Sequence, residues 1–388
     1  MSKPIYLDHN ATTPTDLRVV EAMLPYFSNQ YGNPSSIYRF ASEANEAKES
    51  AREKVAKLLG AKPEEIVFTS GGTEADNFAI KGIAYANKNK GNHIITSKIE
   101  HHAVLNTCKY LEKQGFKVTY VSVDKYGVVD LDELRDAITD KTILITIMHA
   151  NNEVGTIEPI VEIGKIAKEN EIYFHTDAVQ TVGKIPTNVY ELGCDLLSLS
   201  GHKFYGPKGV GALYIRKGTR IDPLIHGGHH ERNRRAGTEN VPGIVGLGRA
   251  CEIALEERDR EEIKLRELRD RLHQGIFSKI DDIILTGHPE HRLAGTFSIC
   301  VKYVEGESML LNLDLEGIAA SSGSACTSGS LEPSHVLLAM GIPHEIAHGS
   351  LRFSLGRGNT EEDVDRVIEV LPRIVNRLRT MSPFGKRG

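Results

Sequence analysis

The sequence predicts an α/β protein whose mostly parallel sheet is covered by helices on both faces. Short apolar runs of strand length alternate with longer segments in which apolar residues recur at helical spacing. Parallel strands need crossover connections of this kind, so the alternation is typical of a buried parallel sheet. With 388 residues the chain exceeds the size of a single core, and we expect two domains.

The apolar runs and the helical patterns predict the elements in order. The predicted strands span residues 64–69, 93–96, 117–121, 143–148 and 172–175. The predicted helices between them span residues 35–59, 74–88, 103–114, 131–138 and 160–170. Later in the chain, a long charged helix at 246–280, a strand at 296–301 and an amphipathic helix at 360–379 are expected.

The change of pattern after about residue 250 predicts the domain boundary. Dense charge with helical spacing replaces the βα alternation there, as expected for a helix that leaves the first domain. We place the boundary near residue 258. The large domain then spans 15–258, and the smaller one combines 1–14 with 259–388.

Composition excludes several classes of protein. The 47 basic and 52 acidic residues give a net charge of −5, so no basic field attracts nucleic acid. No stretch has the ~20 apolar residues of a membrane span, and the N-terminus lacks the apolar core of a signal peptide. The five cysteines are odd in number and widely spaced, which argues against a disulfide framework. We therefore expect a cytoplasmic protein that binds neither nucleic acid nor membrane.

The segment 197–207 carries the most informative residues. Its apolar run ends in a turn that contains Ser200, His202 and Lys203. A lysine held where a strand stops is partly desolvated, which favours the free amine that attacks a carbonyl. The hydroxyl of Ser200 and the imidazole of His202 could hold an anion beside it. An aldehyde that carries a phosphate, such as pyridoxal phosphate, meets these requirements.

The turns after two other predicted strands add complementary groups. Gly72 and Thr73 open a helix, where the free N–H groups and the helix dipole attract phosphate. Asp177 follows the strand at 172–175, and a carboxylate there could keep a pyridine nitrogen protonated. Gln180, one turn later, could reach a ring hydroxyl. Ligands of parallel α/β sheets bind at these carboxyl ends of the strands.

Imidazoles follow two further strands, at His149 and at His101 with His102. Either could stack on a planar cofactor and shuttle protons, since histidine titrates near neutrality. A second cluster surrounds Gly227 and Gly228 and consists of His226, His229 and His230. Paired histidines also indicate a metal, but no carboxylate joins them at a recognised ligand spacing, so a metal site is the weaker interpretation.

Motifs distributed over nearly the whole chain carry a family resemblance. They span 6–14, 69–74, 151–155, 177–180, 200–203, 235–240, 322–334 and 351–357. Together they resemble the pyridoxal-phosphate cysteine desulfurases of the NifS/IscS type, within the class V aminotransferase family. The resemblance implies a fold-type I architecture, in which a large domain with a mostly parallel central sheet is joined by a smaller α+β domain.

The resemblance also assigns roles to individual residues. Lys203 would bind the cofactor covalently, Asp177 would face its pyridine nitrogen, and His101 would stack on its ring. The other assignments are phosphate contacts for Gly72, Thr73, Ser200 and His202, ring-hydroxyl contacts for Gln180 and Asn152, and substrate contacts for Asn152 and Arg352. Thr238 would reach the phosphate of a neighbouring subunit, which requires a homodimer.

Cys326 distinguishes a desulfurase from an aminotransferase. Its Ser/Gly-rich segment offers no core to bury it, whereas the other cysteines, 108, 194, 251 and 300, are interpreted as small core residues. A thiol in such a segment suits a nucleophile that takes sulfur from the substrate and passes it on. The reference pKa of a cysteine thiol is ~8.5, so activation by a base such as His101 is expected.

The resemblance thus predicts conversion of L-cysteine to L-alanine with a persulfide on Cys326, supplying an iron–sulfur scaffold or another sulfur-acceptor protein. Alternatives on the same fold are a selenocysteine lyase and an aminotransferase. Alternatives from other classes are a non-catalytic sulfur-relay partner and a metallohydrolase that uses the histidine cluster. The absence of the longer C-terminal tail of housekeeping members favours a nif-like member. Transient ligation of an iron–sulfur cluster by Cys326 stays open.

Overall fold

The structure is a computed structural model that describes residues 4–322 and 332–381. Its strands are β1 (Ile5–Tyr6), β2 (Ile66–Thr69), β3 (His93–Ser97), β4 (Lys117–Val121), β5 (Thr142–Thr146), β6 (Tyr173–Asp177), β7 (Leu196–Ser200), β8 (Gly211–Ile215), β9 (Ile283–Leu285), β10 (Thr296–Val301), β11 (Ile318–Ala319) and β12 (Ser350–Ser354). The predicted strands agree with these bounds to within two residues.

The helices follow the predicted alternation. They are α1 (Leu17–Met23), α2 (Pro25–Ser28), α3 (Arg39–Leu59), α4 (Gly72–Asn87), α5 (His102–Glu112), α6 (Leu131–Asp136), α7 (Ile160–Glu169), α8 (Val189–Leu192), α9 (Val241–Phe277), α10 (Gly306–Leu315), α11 (His335–Ala339), α12 (His344–Ala347) and α13 (Glu361–Met381).

Two helix starts differ from the sequence prediction by four or five residues, each for a local reason. Helix α3 begins four residues later than predicted, because Tyr38 has an extended backbone with φ −88° and ψ 161°. Helix α9 begins five residues earlier than predicted. The side chain of Asn240 caps it by accepting from the Gly243 N–H, and Pro242 occupies the first turn, where proline is well tolerated.

The central sheet has seven strands in the order β2-β8-β7-β6-β5-β3-β4. The pairs from β7 through β6, β5 and β3 to β4 are parallel, whereas β8 runs antiparallel to both of its neighbours. This confirms the predicted mostly parallel sheet and adds one reversed strand. The carboxyl ends of β2, β3, β5, β6 and β7 consequently meet at one edge.

Apolar side chains form separate cores on the sheet and beyond it. One core packs α9 as far as Ala254 against the central sheet, and a second core takes α9 from Leu265 onward together with β10, β12 and α13. The second core covers a three-stranded sheet in the order β12-β10-β9. A single long helix therefore contributes to both cores.

The N-terminal segment 7–16 connects these two regions. The Leu7 main-chain oxygen accepts from the N–H of Ser354 at 2.7 Å, and the Thr13 N–H donates to the oxygen of His202 at 2.9 Å. Hydrogen bonds to both sides hold this irregular segment against the carboxyl edge of the central sheet. Within the described ranges, no helix is long and apolar enough to span a membrane.

Candidate active site

Lys203 lies at the end of the turn that follows β7. The turn Gly201–Lys203 is a single turn of 3₁₀ helix, as expected from the small residue that precedes the histidine and lysine. The Nζ atom donates to the main-chain oxygens of Asn10 at 2.6 Å and Ala11 at 2.8 Å. The lysine side chain is thus directed along the edge of the sheet to the N-terminal segment.

Tyr205 fixes the other end of this turn. It adopts a left-handed backbone with φ 65°, which is unfavourable for a non-glycine residue by roughly 1–2 kcal/mol. Its N–H donates to Oγ1 of Thr13 at 2.8 Å, and its main-chain oxygen accepts from the N–H of Asp16 at 3.0 Å. These contacts with the N-terminal segment offset the strain and hold the two segments around Lys203 together.

Asp177 ends β6, the strand beside β7, and its side chain is buried. Its Oδ1 accepts from the Val179 N–H at 2.9 Å. Burial raises the pKa of the Asp177 carboxyl, while the neighbouring side chains of His101 and Lys203 act in the opposite direction. A carboxylate held this way is suited to pair with a cationic group of a ligand in the adjacent space.

Other buried acids lie behind Asp177. Burial raises the pKa of Asp76, in α4, well above its usual range, and the charge of Asp177 raises it further. Burial likewise raises the pKa of Glu100 to about 8. Since neither group ionises readily here, and since Lys203 and His101 favour the ionised form of Asp177, we infer that Asp177 carries the negative charge of this region.

His101 is the N-cap residue of α5, and its ring faces the same region. Its Nδ1 accepts from the Ala103 N–H at 3.1 Å, so the neutral ring carries its proton on Nε2. Burial lowers the pKa of His101, with the charge of Asp177 opposing this effect and that of Lys203 adding to it. Burial therefore favours the neutral form of the imidazole. His149, the other candidate for stacking, hydrogen-bonds to Thr181 at 3.0 Å and is buried under the site.

The turn after β2 forms a narrow cradle at the N-terminus of α4. A Cβ atom at Gly72 would lie 2.6 Å from Cγ2 of Val179, and one at Gly71 would lie 3.7 Å from Oγ of Ser200. Only glycine at position 72 leaves this space open. The first N–H groups of a sixteen-residue helix and the Ser200 hydroxyl therefore border a gap of the kind that holds a phosphate.

Gln180 has a defined amide orientation. Its Nε2 donates to the Asn10 main-chain oxygen at 2.9 Å, the same oxygen that accepts from Lys203. Its Oε1 accepts from Nζ of Lys184 at 3.0 Å. The predicted ring-hydroxyl ligand and the predicted covalent lysine thus share one main-chain acceptor.

Arg352 lies in β12 and reaches the site from the second core. Its guanidinium donates from Nη2 to Oδ1 of Asp8 at 2.7 Å and from Nη1 to the main-chain oxygen of Asn152 at 2.8 Å. Its Nε is buried with no hydrogen-bond partner among the described residues. A buried guanidinium with an unpaired donor is suited to bind a carboxylate.

The structure brings most of the predicted site residues to one edge of the central sheet. Thr238 and Cys326 are the two that it does not place there. Nδ1 of His202 contacts Oγ1 of Thr12 at 3.1 Å, and Thr73 lies in the first turn of α4. Thr238 is exposed on the loop before α9. Cys326 lies outside the described residues.

Sequence reasoning missed several groups of this site. The carbonyls of Asn10 and Ala11, the side chain of Lys184 and the carboxyl of Asp76 had no assigned role. Every residue has a main-chain carbonyl, so the residue type does not reveal which carbonyl accepts a hydrogen bond. Lys184, four residues after Gln180, could have been found from helical spacing. Among the described residues, no group of three or more His, Cys, Asp or Glu side chains could hold a metal ion.

Comparison with known proteins defines the class of this fold and site. The family described as Aminotransferase class-V matches residues 5–367. The chain therefore belongs to the class-V aminotransferase family, whose cofactor is pyridoxal phosphate. The predicted family and fold-type I architecture are confirmed.

Named relatives narrow this class. The chain is 64% identical to Cysteine desulfurase IscS of Methanosarcina thermophila, over 99% of this chain and 95% of the relative. It is 60% identical to Cysteine desulfurase IscS of Dictyoglomus turgidum, over 99% and 98%. A solved structure titled NifS-like protein superposes with a TM-score of 0.91 at 45% identity, covering 97% of this chain and all of that one.

The residues present fit pyridoxal phosphate. The cradle at Gly72, which a Cβ would fill, matches the phosphate, and the buried Asp177 matches a protonated pyridine nitrogen. The amide of Gln180 and the neutral ring of His101 lie around the space between them and Lys203. These positions are consistent with a planar, phosphorylated aldehyde.

Proposed function

We propose that this chain converts L-cysteine to L-alanine and transfers the sulfur to Cys326 as a persulfide. The chain is a pyridoxal-phosphate-dependent enzyme of the cysteine desulfurase group. The convergence of Lys203, Asp177 and His101 at one sheet edge is the observation that carries the proposal. A solved relative at 40% identity, with a TM-score of 0.79, is titled SspA in complex with cysteine, which supports the same substrate here.

Each residue at the edge has a proposed task. Bound pyridoxal phosphate supplies an electron sink that stabilises negative charge at Cα of an amino acid. Lys203 holds the cofactor covalently and moves the Cα proton of the substrate. Asp177 keeps the pyridine nitrogen protonated, and His101 stacks on the ring. Gly72, Thr73, Ser200 and His202 hold the phosphate.

Arg352 and Asn152 orient the substrate. The guanidinium lies in a buried position next to the Asn152 main chain, where a substrate carboxylate gains a charge-assisted hydrogen bond. Asp8, at 2.7 Å from Nη2, fixes the plane of the guanidinium. The substrate is thereby held with its Cα near Lys203 rather than merely attracted to the cleft.

The sulfur step uses Cys326. The Cys326 thiolate attacks the sulfur of the substrate, so an S–S bond forms and the C–S bond breaks with its electron pair left on carbon. That carbon then takes up a proton, which completes alanine. A thiol reductant or an acceptor protein removes the persulfide sulfur and regenerates the cysteine.

A homodimer is part of the proposal, because Thr238 is assigned to the phosphate of the neighbouring subunit. Large apolar side chains between residues 17 and 40 are more than half exposed: Leu17, Leu24, Phe27, Tyr31, Ile37, Tyr38 and Phe40. Helix α3 joins this surface to the Thr238 loop, since Lys48 pairs with Glu239 at 3.2 Å. Burial of these side chains in a dimer would remove them from water.

The sulfur-acceptor partner, the cellular location and the domain boundary are also part of the proposal. We propose a cytoplasmic enzyme that delivers sulfur to an iron–sulfur scaffold or another acceptor protein. We also propose that the domain boundary lies within α9 near residue 258, which is supported by the change of core between Ala254 and Leu265.

Product analysis tests the function. The purified enzyme, given L-cysteine and a dithiol reductant, is expected to form alanine and sulfide in equal amounts. The variant Cys326→Ser should bind the cofactor and form neither product at a comparable rate, whereas Cys194→Ala, at a buried core position, should resemble the wild type. Formation of a sulfur-containing 2-oxo acid from cysteine, without alanine or sulfide, would indicate an aminotransferase, and turnover of selenocysteine alone would indicate a lyase.

A further inference from the structure

Lys184 lies directly behind Gln180 and contacts the site through it. Its Nζ donates to Oε1 of Gln180 at 3.0 Å and lies 3.5 Å from Oδ1 of Asn10. Nε2 of Gln180 donates in turn to the Asn10 main-chain oxygen, which accepts from Lys203. A continuous set of hydrogen bonds therefore joins Lys184 to the lysine that binds the cofactor.

This contact determines which end of the Gln180 amide faces the site. An ammonium has three donors and no acceptor, so it pairs only with the amide oxygen. If the amide turned over, Nε2 would meet Lys184 Nζ and Oε1 would meet the Asn10 oxygen, which gives a donor–donor and an acceptor–acceptor contact. While protonated, Lys184 thus excludes the reversed orientation and keeps the N–H₂ group directed to the Asn10 oxygen that also accepts from Lys203.

Within the described part of the chain, Lys184 does not form a simple ion pair with a carboxylate. Among the described residues, no carboxylate lies within 4 Å of its Nζ. A small cavity of about 40 Å³ is lined by Lys184, Lys203 and Glu261. A charged lysine that is poorly solvated and lacks a close carboxylate lowers the stability of the fold. Its presence at this position therefore indicates a role in the site.

The charged groups around Lys184 affect its pKa. Burial, followed by the charge of Lys203, lowers the pKa of Lys184 to about 7, with Glu261 opposing this effect and Arg352 adding to it. The histidines His9 and His202 face it from the N-terminal segment and the β7 turn, and the charge of Lys184 contributes to the lowered pKa of each. The ammonium of Lys184 therefore loses its proton more readily than that of an exposed lysine.

We propose that Lys184 is a positioning residue whose ammonium fixes the Gln180 amide, so that Nε2 is presented to the ring-hydroxyl side of the cofactor beside Lys203. This inference rests on the proposed function, because that function identifies the bound cofactor and its reaction. It concerns the binding of the cofactor itself, so it is measurable without turnover.

Cofactor titration of the apoprotein is the first test. Lys184→Met should weaken the affinity for pyridoxal phosphate about tenfold, the loss typical of one hydrogen bond to a charged group. Lys184→Arg, which keeps a cationic donor, should restore most of it. In a Gln180→Ala background Lys184→Met should have little further effect, because the lysine acts through the amide. Unchanged affinity in Lys184→Met, or losses that simply add in the double variant, would overturn the proposal.

A second measurement needs no destabilising substitution. In the wild-type apoprotein, the side-chain amide resonance of ¹⁵N-labelled Gln180 should shift with an inflection near pH 7, as Lys184 loses its proton. In Lys184→Arg the inflection should vanish from the neutral range, since arginine stays charged. An inflection that persists in Lys184→Arg contradicts the proposal, because the Gln180 resonance would then not report on Lys184.

The proposed desulfurase reaction and the proposed role of Lys184 can be refuted independently of each other. If the wild type binds the cofactor and shows the Lys184–Gln180 coupling but releases no sulfide from cysteine, the proposed reaction is wrong and the positioning role holds. If sulfide and alanine are formed but the coupling is absent, only the role of Lys184 is wrong. An exposed lysine, Lys168→Met in α7, is the matched control and should leave every readout unchanged.

Discussion

The Nζ atom of Lys203 donates to the main-chain oxygen of Asn10 at 2.6 Å, across 193 residues of sequence. This contact holds the Lys203 side chain between the β7 turn and the N-terminal segment. Because the same oxygen also accepts from Gln180, the position of Lys203 depends on both segments.

Replacement of Lys203 by alanine should abolish the visible absorbance of the lysine-bound cofactor, because no other residue is assigned to bind it covalently. Added cofactor should not restore the band, and desulfuration should fall to background. Absorbance spectra of the purified proteins measure this directly. Lys168→Ala, at an exposed position in α7, is the control, and a normal band in Lys203→Ala would refute the assignment.

Replacement of Asp177 by asparagine should leave the cofactor bound but reduce kcat on the order of 100-fold or more, because the ring nitrogen loses its charged partner. Burial raises the pKa of Asp177, so the wild type should lose activity as acid protonates this carboxylate. The variant should lack that acidic limb. Steady-state rates from pH 5 to 8 test both points, with exposed Asp140→Asn as control. A wild-type rate or an unchanged pH profile in Asp177→Asn would contradict the assignment.

Replacement of Arg352 by lysine should raise KM for cysteine ~10-fold or more with a smaller change in kcat, because an ammonium cannot reproduce the planar contacts of guanidinium. The variant should also unfold at a lower temperature, since the pair with Asp8 at 2.7 Å is altered. Arg373→Lys, on the exposed face of α13, serves as control. An unchanged KM would exclude Arg352 from substrate binding.

Replacement of Thr238 by alanine should speed the loss of cofactor from a protein that remains dimeric. The reason is that Thr238 is proposed to contact the phosphate of the neighbouring subunit. Dialysis followed by absorbance measures retention, and analytical ultracentrifugation measures the assembly. Thr380→Ala, exposed near the end of α13, is the control. A wild type that holds its cofactor as a stable monomer would contradict the dimer and this role.

Local patterns were sufficient for most elements of the fold. The strand that ends at Asp177 was predicted within two residues, and the apolar run before the Lys203 turn is strand β7, because apolar runs and small-residue turns are local signals. The reversed strand β8 was not predicted. Its direction depends on which neighbours it pairs with, and no local pattern of apolar residues encodes that choice.

The sequence by itself determined the class of the site: a lysine, a carboxylate, an amide, an imidazole and a glycine turn, each after a strand of one alternating sheet. It also indicated Cys326 as the residue that separates a desulfurase from an aminotransferase. Only the tertiary structure decided that Asn10 and Ala11 hold Lys203 and that Lys184 orients Gln180. The physical reason is that residue types report chemistry, whereas main-chain acceptors and amide orientations are fixed by packing between distant segments.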